Sequence, residues 1–141
     1  MERKPIILPK EFGMKMIEAL ESGTYKKTEG TLYEMGSHCA LGVGANCNGA
    51  DNLDLMYFGS YSDEVLKPKL LKILPECVIE NESFQNIIMN MNDGCSKVTI
   101  KSFEKSFLVK FDKPENDNSG TMWIYSFKEI AQWMRNNVKL V

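Results

Sequence analysis

The sequence predicts a single α+β domain, in which four to five short helices pack on a small, mainly antiparallel sheet. Three observations predict this class. Apolar residues recur at helical spacing in several segments, two later segments alternate apolar and polar side chains, and turn residues separate the two kinds. The 141 residues are 43% hydrophobic and 26% charged. A chain of this length and composition can bury one core, so residues 1–141 are expected to form one domain.

The first helix is expected to begin at Pro9 and to end before Gly23. A proline is tolerated in the first helical turn because its missing N–H needs no partner there. Phe12, Met16 and Leu20 then fall on one face. Gly23 is suited to the left-handed position that ends many helices.

A strand over residues 30–35 and a short helix over residues 39–47 are expected next. Ser37 is the predicted N-cap of that helix. Gly42 and Gly44 each cost the helix about 1 kcal/mol relative to alanine. Such a cost is tolerable if a neighbouring backbone packs closely against the two glycines and hides the nearby thiols from water.

The middle of the chain fits two further helices. Residues 53–61 are expected to form a strand or a buried connection, and residues 62–74 a helix that ends at Pro75. Ser83 is the expected cap of another helix, which ends at the Asn-Asp-Gly turn of residues 92–94. The apolar positions of that helix are Phe84, Ile87, Ile88 and Met91.

The last third of the chain is expected to hold strands and a final helix. Residues 97–111 alternate in polarity, which predicts the two strands of a hairpin, and residues 121–125 form a third strand candidate. Ser126 and Glu129 form a capping box at the start of the last helix. Ile130, Ala131, Met134 and Val138 are its predicted inner stripe.

Net charge, the length of apolar runs and the spacing of cysteines argue against several classes of protein. The net charge of -2 argues against a dedicated nucleic-acid binder. No apolar run approaches the roughly 18 residues that a membrane span needs, and the first residues do not resemble a signal peptide, so we expect a cytosolic protein without membrane contact. Neither a metal nor a cofactor is expected, because there is no CxxC pair and only one histidine. Four cysteines, expected to be reduced, are Cys39, Cys47, Cys77 and Cys95.

Two stretches together resemble a family of small uncharacterised phage and prophage proteins. The first is "ALESGTYKKTEGTLYEMGSHCALGV", residues 19–43, and the second is "SFKEIAQWM", residues 126–134. The family pattern also has a leucine or methionine followed by Asn-Asp, which matches residues 91–93. Lys27 departs from the pattern, since the family often has glutamine there. Some thirty extra residues before the closing helix indicate an inserted β-hairpin region at about 95–125.

The resemblance implies a protein of viral or prophage origin that works in the host cytoplasm. The expected function is that of a non-catalytic accessory protein, which binds and inhibits or sequesters a host component. That partner would be a host protein, such as a defence protein, or a nucleotide signal; nucleic acid is not expected. Self-association through the free edge of the hairpin is a further possibility. The alternative function is a Cys-dependent hydrolase or transferase that uses Cys39.

The catalytic alternative depends on Cys39, His38 and Asp93. A cysteine at a helix N-terminus can be stabilised as a thiolate, and histidine or aspartate can serve as its partner. However, adjacent residues of a helix point about 100° apart, so His38 is poorly placed as the base for Cys39. The competing interpretation is that Cys39 is a small apolar core residue. Cys95, which follows the turn, is the thiol expected to be exposed.

The binding alternative depends on two tyrosines, a lysine and the Asn-Asp pair. Planar ligands stack on aromatic rings, and lysine attracts phosphates. The candidate ligand-binding residues are therefore Tyr25, Lys27, Tyr33, Asn92 and Asp93. The competing interpretation is that the Asn-Asp pair ends a helix and bonds its own backbone.

Charges in the predicted hairpin alternate in sign. Glu104 lies between Lys101 and Lys105 in sequence. Charges of opposite sign therefore alternate too closely for a uniform basic patch on a strand. A solvated strand face is therefore the expectation for this segment.

Overall fold

A computed structural model describes residues 2–57, 75–115 and 122–141 of the chain. The protein has an α+β fold, and within these ranges five helices have eight or more residues. The helices are α1 (Lys10–Glu21), α2 (Ala40–Cys47), α3 (Asn52–Tyr57), α4 (Glu76–Ile79), α5 (Glu82–Asp93), α6 (Lys97–Ser106) and α7 (Phe127–Asn137). The strands are β1 (Ile6–Leu8), β2 (Lys26–Lys27), β3 (Tyr33–Glu34), β4 (Ser37–His38), β5 (Cys95–Ser96), β6 (Met122–Trp123) and β7 (Val138–Leu140).

The described strands form three small sheets rather than one. β1 pairs with β7 in parallel, which joins the two ends of the chain. β4 lies between β2 and β3, parallel to β2 and antiparallel to β3. β5 and β6 form an antiparallel pair. Helices therefore supply most of the core, and the sheets fasten loops and termini to it.

The core lies where the long helices meet. α1 packs against α2 and α7, and α5 packs against the same two helices. Each helix directs its apolar stripe inward, as the helical spacing predicts. Burying one large aliphatic side chain contributes about 1.5–3 kcal/mol. The largest fully buried side chains of α1, α5 and α7 are Met16, Ile17, Leu20, Phe84, Ile87, Ile88, Met91, Ile130 and Met134.

The predicted C-terminal ends of α1 and α5 and the predicted N-terminus of α7 are confirmed, whereas Val138, predicted for the inner stripe of the last helix, lies in β7. Gly23 and Gly94 have φ angles of 77° and 100°, in the region that favours glycine. At α7, Ser126 Oγ accepts a hydrogen bond from Glu129 N at 3.2 Å, and Glu129 Oε1 accepts one from Ser126 N at 2.9 Å. This is the predicted capping box. The predicted cap of α5 is wrong, because Asn81 and not Ser83 accepts the bond from Phe84 N.

Two predictions for the middle of the chain need correction. Residues 52–57 form helix α3, so the predicted strand or connection over 53–61 is wrong in its described part. Residues 58–74 lie outside the described residues, and so does the helix predicted for 62–74. Pro75 precedes α4 and caps its N-terminus. The strand predicted for residues 30–35 is shorter, and only β3 within it is paired.

The predicted hairpin over residues 97–111 is wrong. Residues 97–106 form α6, which begins after Ser96, whose hydroxyl accepts a hydrogen bond from Thr99 N. Ile100 and Phe103, three residues apart, are its buried residues. In so short a segment, several apolar positions fit both the alternation of a strand and the spacing of a helix. The N-cap at Ser96 favours the helix. An antiparallel pair does close this region, but it is β5 with β6 at its base.

The charges of α6 are also arranged differently from the expectation. Because the segment is helical, Lys101 and Lys105 lie on the same exposed face as Lys97. Glu104 is half-buried at the edge of that face. The expected strand face with alternating charge is therefore replaced by a row of lysines. The hairpin edge that suggested self-association is likewise absent from residues 97–106.

Across residues 2–57, 75–115 and 122–141, none of the helices is long and apolar enough to pass through a bilayer.

Candidate functional site

The sheet of β2, β4 and β3 positions most of the residues that the sequence marks as functional. The chain returns through this sheet into α2, held by a hydrogen bond from Thr28 N to the His38 carbonyl at 2.8 Å. A second bond, from Cys39 N to the Leu32 carbonyl at 3.2 Å, fixes the entry to the helix. The imidazole of His38 is thereby placed between Tyr25 and Tyr33.

His38 is the aromatic centre of the sheet. Its ring centroid lies 5.0 Å from that of Tyr25 in an edge contact and 4.8 Å from that of Tyr33. His38 Nε2 lies 2.9 Å from Asn52 Oδ1. An amide oxygen only accepts, so Nε2 is the donor of this pair, given that amide orientation. His38 Nδ1 is buried and has no hydrogen-bond partner among the described residues.

A second polar chain runs beside His38. Tyr25 donates its phenol proton to Asn46 Oδ1 at 2.6 Å, and Asn46 Nδ2 donates to the Ala50 carbonyl at 2.9 Å. Burial raises the pKa of Tyr25, so the phenol keeps the proton that it donates. These bonds tie the end of α2 to the loop before α3. The two predicted ligand-binding tyrosines thus hold local structure together.

Cys39 is the N-cap of α2. Its Sγ accepts a hydrogen bond from Gly42 N at 3.4 Å. Ser37, the predicted cap, lies in β4, and the strand continues through His38, so Cys39 is the first residue before the helix. Burial is the main cause that raises the pKa of the Cys39 thiol. A protonated, buried thiol is a poor nucleophile, because thiol chemistry proceeds through the thiolate.

The structure does not assemble the three residues of the catalytic alternative. His38 bonds to Asn52, the Cys39 thiol faces its own helix, and Asp93 Oδ1 accepts a bond from Gly30 N at 3.1 Å. Within the described residues, no hydrogen bond joins any two of these side chains. Each group is occupied by a structural contact.

Asn92 joins three separate segments. Its side chain lies in the core, where Oδ1 accepts a hydrogen bond from Ala40 N at 3.0 Å. Its Nδ2 donates to the Thr28 carbonyl and to Asp93 Oδ1, each at 2.9 Å. We call these three bonds the Asn92 cross-link. The residue does end a helix, but it bonds distant backbone and not only its own turn.

The sequence does carry a signal for this role. Asn92 follows Ile88 by four residues, so it continues the buried face of α5. A polar residue on an apolar face is expected to find hydrogen bonds in the core. Which backbone groups it bonds could not be predicted, because Thr28 and Ala40 are more than fifty residues away in sequence.

Lys27 completes the group of predicted binding residues. Its side chain is largely buried, and Nζ lies 3.9 Å from Glu29 Oε1. Loss of water lowers the pKa of Lys27, while the negative charges of Glu29, Asp93 and Glu129 act in the opposite direction. Lys27 therefore faces carboxylates of this chain, which weakens it as a free phosphate contact.

The other thiols are also mostly withdrawn. Cys95 is buried in β5 opposite Trp123, so its expected exposure is wrong. Cys47 is half-buried at the end of α2 and is the most accessible of the three thiols whose side chains are described. Burial raises the pKa of both groups. Within the described part of the chain, no cluster of three His, Cys, Asp or Glu side chains is placed to hold a metal ion.

An apolar surface beside this sheet was not predicted from the sequence. Met35, in the turn between β3 and β4, is 94% exposed and has a φ angle of 48°. Leu53 and Met56, three residues apart on the outer face of α3, are 60% and 43% exposed. α3 packs against β3, so the three residues belong to neighbouring parts of the fold. We call Met35, Leu53 and Met56 the methionine surface.

Comparison with known proteins found no match. No family model, no curated protein and no solved structure matches the chain.

Proposed function

We propose that the protein acts by binding a partner and not by cysteine chemistry. We further propose that it is a phage accessory protein, which binds and inhibits or sequesters a host component in the host cytoplasm. The observation that carries the binding proposal is the conformation and exposure of Met35. The phage origin depends on the resemblance of residues 19–43 and 126–134 to phage and prophage proteins.

Met35 occupies a position that folding alone would give to glycine. A φ angle of 48° is rarely adopted by residues with a bulky side chain, whereas glycine adopts it freely. The side chain is exposed, so it adds little to the core. A strained, exposed methionine beside two other exposed apolar residues supports contact with a partner. Methionine is well suited to such a surface, because its flexible thioether adapts to irregular partners.

The chemistry of the methionine surface favours a protein as the partner. An apolar surface gains most from apolar side chains on the other molecule, and a nucleotide signal offers mainly phosphates and one planar base. The tyrosines that could have stacked on that base contact His38 and Asn46 instead. Of the two partners expected from the sequence, the host protein is therefore the one we propose.

The thiol geometry supports binding over the enzymatic alternative. Burial raises the pKa of the Cys39 thiol and outweighs the opposite effect of the hydrogen bond from Gly42 N that makes Cys39 the cap of α2. A base would have to reach its sulfur, yet both His38 and Asp93 are held by other groups.

Replacing Met35 with glycine tests the proposal. The variant is expected to be at least as stable as the wild type, because glycine relieves the left-handed φ, yet it should lose the partner. The measurement is affinity capture from host cells with the tagged full chain, followed by mass spectrometry, together with urea unfolding of the purified variant. Val141→Ser is the matched control, since Val141 is another exposed apolar residue, directly after β7.

The capture experiment has one outcome that supports the proposal and others that contradict it. The proposal is supported if the wild type and Val141→Ser recover the same component and Met35→Gly does not. It is contradicted if nothing is recovered above background, or if the glycine variant recovers the component equally well. Cys39→Ala is expected to recover it in full, and loss of recovery by a folded Cys39→Ala variant would favour the enzymatic alternative.

A further inference from the structure

A row of lysines lies on the exposed face of α6. Lys97, Lys101 and Lys105 are all exposed, and they follow one another at intervals of four residues. Their Cα atoms are therefore about 6 Å apart along the helix axis on one face. Among the described residues, no carboxylate lies within ion-pair distance of these three amines. Lys97 Nζ contacts the Trp123 ring, 5.8 Å from its centroid.

The surroundings of this row are also basic. The carboxylate of Glu104, on the same helix, is held by Phe111 N, which donates to Oε2 at 3.0 Å. Arg3 donates from Nη1 to the Glu104 carbonyl, and Lys4 N donates to the Ser106 carbonyl. Two exposed basic residues of the N-terminal segment thus lie at the end of α6. On a chain with a net charge of -2, this is a local concentration of positive charge.

Apolar side chains accompany the lysines. Val98 is 79% exposed and lies between Lys97 and Lys101 in sequence, on the same outer side of α6. Leu108 and Met122, near the two ends of the helix, are each about half-exposed. We call Lys97, Val98, Lys101 and Lys105 the lysine face. The lysine face therefore combines three positive charges with one exposed apolar side chain.

We propose that the lysine face binds an acidic amphipathic helix of a protein partner. Carboxylates on successive turns of such a helix would repeat at the same spacing of about 6 Å as the lysines. An apolar side chain between those turns would cover Val98. The apolar component favours a protein over nucleic acid, whose phosphate backbone has no group to cover it. Electrostatic complementarity of this kind sets register and speeds association.

This inference rests on the proposed binding function, but it concerns a different surface and specifies the chemistry of the partner. The probe is a synthetic helical peptide with glutamates at three positions four residues apart and leucines beside them. Titration into the full-length protein, followed by backbone amide chemical shifts, is expected to show changes concentrated on α6. We expect the peptide to bind at low salt and its affinity to fall as salt is raised, because the charged contacts are exposed.

Charge reversal provides the specific test. The double variant Lys101→Glu/Lys105→Glu is expected to bind the peptide at least about tenfold more weakly. The control Lys26→Glu/Lys128→Glu changes the net charge equally at exposed positions elsewhere and should stay within about threefold of the wild type. Met35→Gly should bind the peptide normally, so failure here and failure of the methionine surface can be told apart. The four lysines that these two double variants replace are all exposed, and circular dichroism checks that each variant is folded.

Three results would overturn the inference. One is absence of peptide binding at millimolar concentration, and another is equal binding by the charge-reversed variant and the wild type. The third is a DNA oligonucleotide that binds more tightly than the peptide and loses affinity in the same variant. That result would assign the lysine face to nucleic acid.

Discussion

Replacing Asn92 with alanine is expected to destabilise the protein by about 2–5 kcal/mol. The change removes the Asn92 cross-link and leaves Ala40 N and the Thr28 carbonyl without their buried partner. Each buried group that loses its hydrogen bond costs about 1–3 kcal/mol. Urea unfolding, followed by circular dichroism, measures the difference in free energy.

Asn90→Ala is the matched control on the same helix. The Asn90 side chain bonds only within α5, where Nδ2 donates to the Asn86 carbonyl and Asn86 Oδ1. Alanine is also a better helix former, so we expect a change below about 1 kcal/mol. If Asn92→Ala proves as stable as Asn90→Ala, the cross-link does not hold α2 and the loop at Thr28 onto α5.

Replacing Gly42 with alanine is expected to destabilise the protein by about 2 kcal/mol. A Cβ at this position would overlap the backbone carbonyl oxygen of Leu32, which is itself fixed by its bond from Cys39 N. Overpacking typically costs about 1–3 kcal/mol, and the upper end applies here because the obstacle is backbone; the better helix propensity of alanine offsets about 1 kcal/mol of it. The same urea measurement gives the net value.

Gly44→Ala is the control for this prediction. Its Cβ would meet Met16 Sδ at 3.0 Å and Phe12 Cζ at 3.2 Å, which are ends of side chains that can move. We therefore expect a change within about 1 kcal/mol of the wild type. Equal stability of the two alanine variants would contradict the close backbone contact at Gly42.

Local signals made much of the fold predictable. The stripe of α5 and the capping box of α7 each lie within a few residues, and both are confirmed. The glycines of α2 predicted a close backbone neighbour, which the structure provides at Gly42 through Leu32. At Gly44 the neighbours are the side chains of Met16 and Phe12. In these cases the feature depends on the residue types within one short segment, so the sequence alone predicts it.

The remaining features depend on contacts between distant segments. The alternating pattern of α6 fits a strand until Ile100 and Phe103 are seen to share one buried side. The place of His38 between two tyrosines depends on the pairing of β4 with β2 and β3. The exposure of Met35 depends on the direction of one turn. Sequence patterns carry little information on such pairings, because tertiary packing selects among several local solutions.

The claim that Cys39 is a packing residue is tested most directly by site-resolved thiol labelling. The native protein is treated with a small alkylating reagent at neutral pH, and the rate at each cysteine is followed by peptide mass spectrometry. We expect Cys47 to react at least about a hundredfold faster than Cys39 and Cys95, which should react only when the structure opens. Labelling of Cys39 as fast as Cys47 would show an accessible thiolate and would contradict the account.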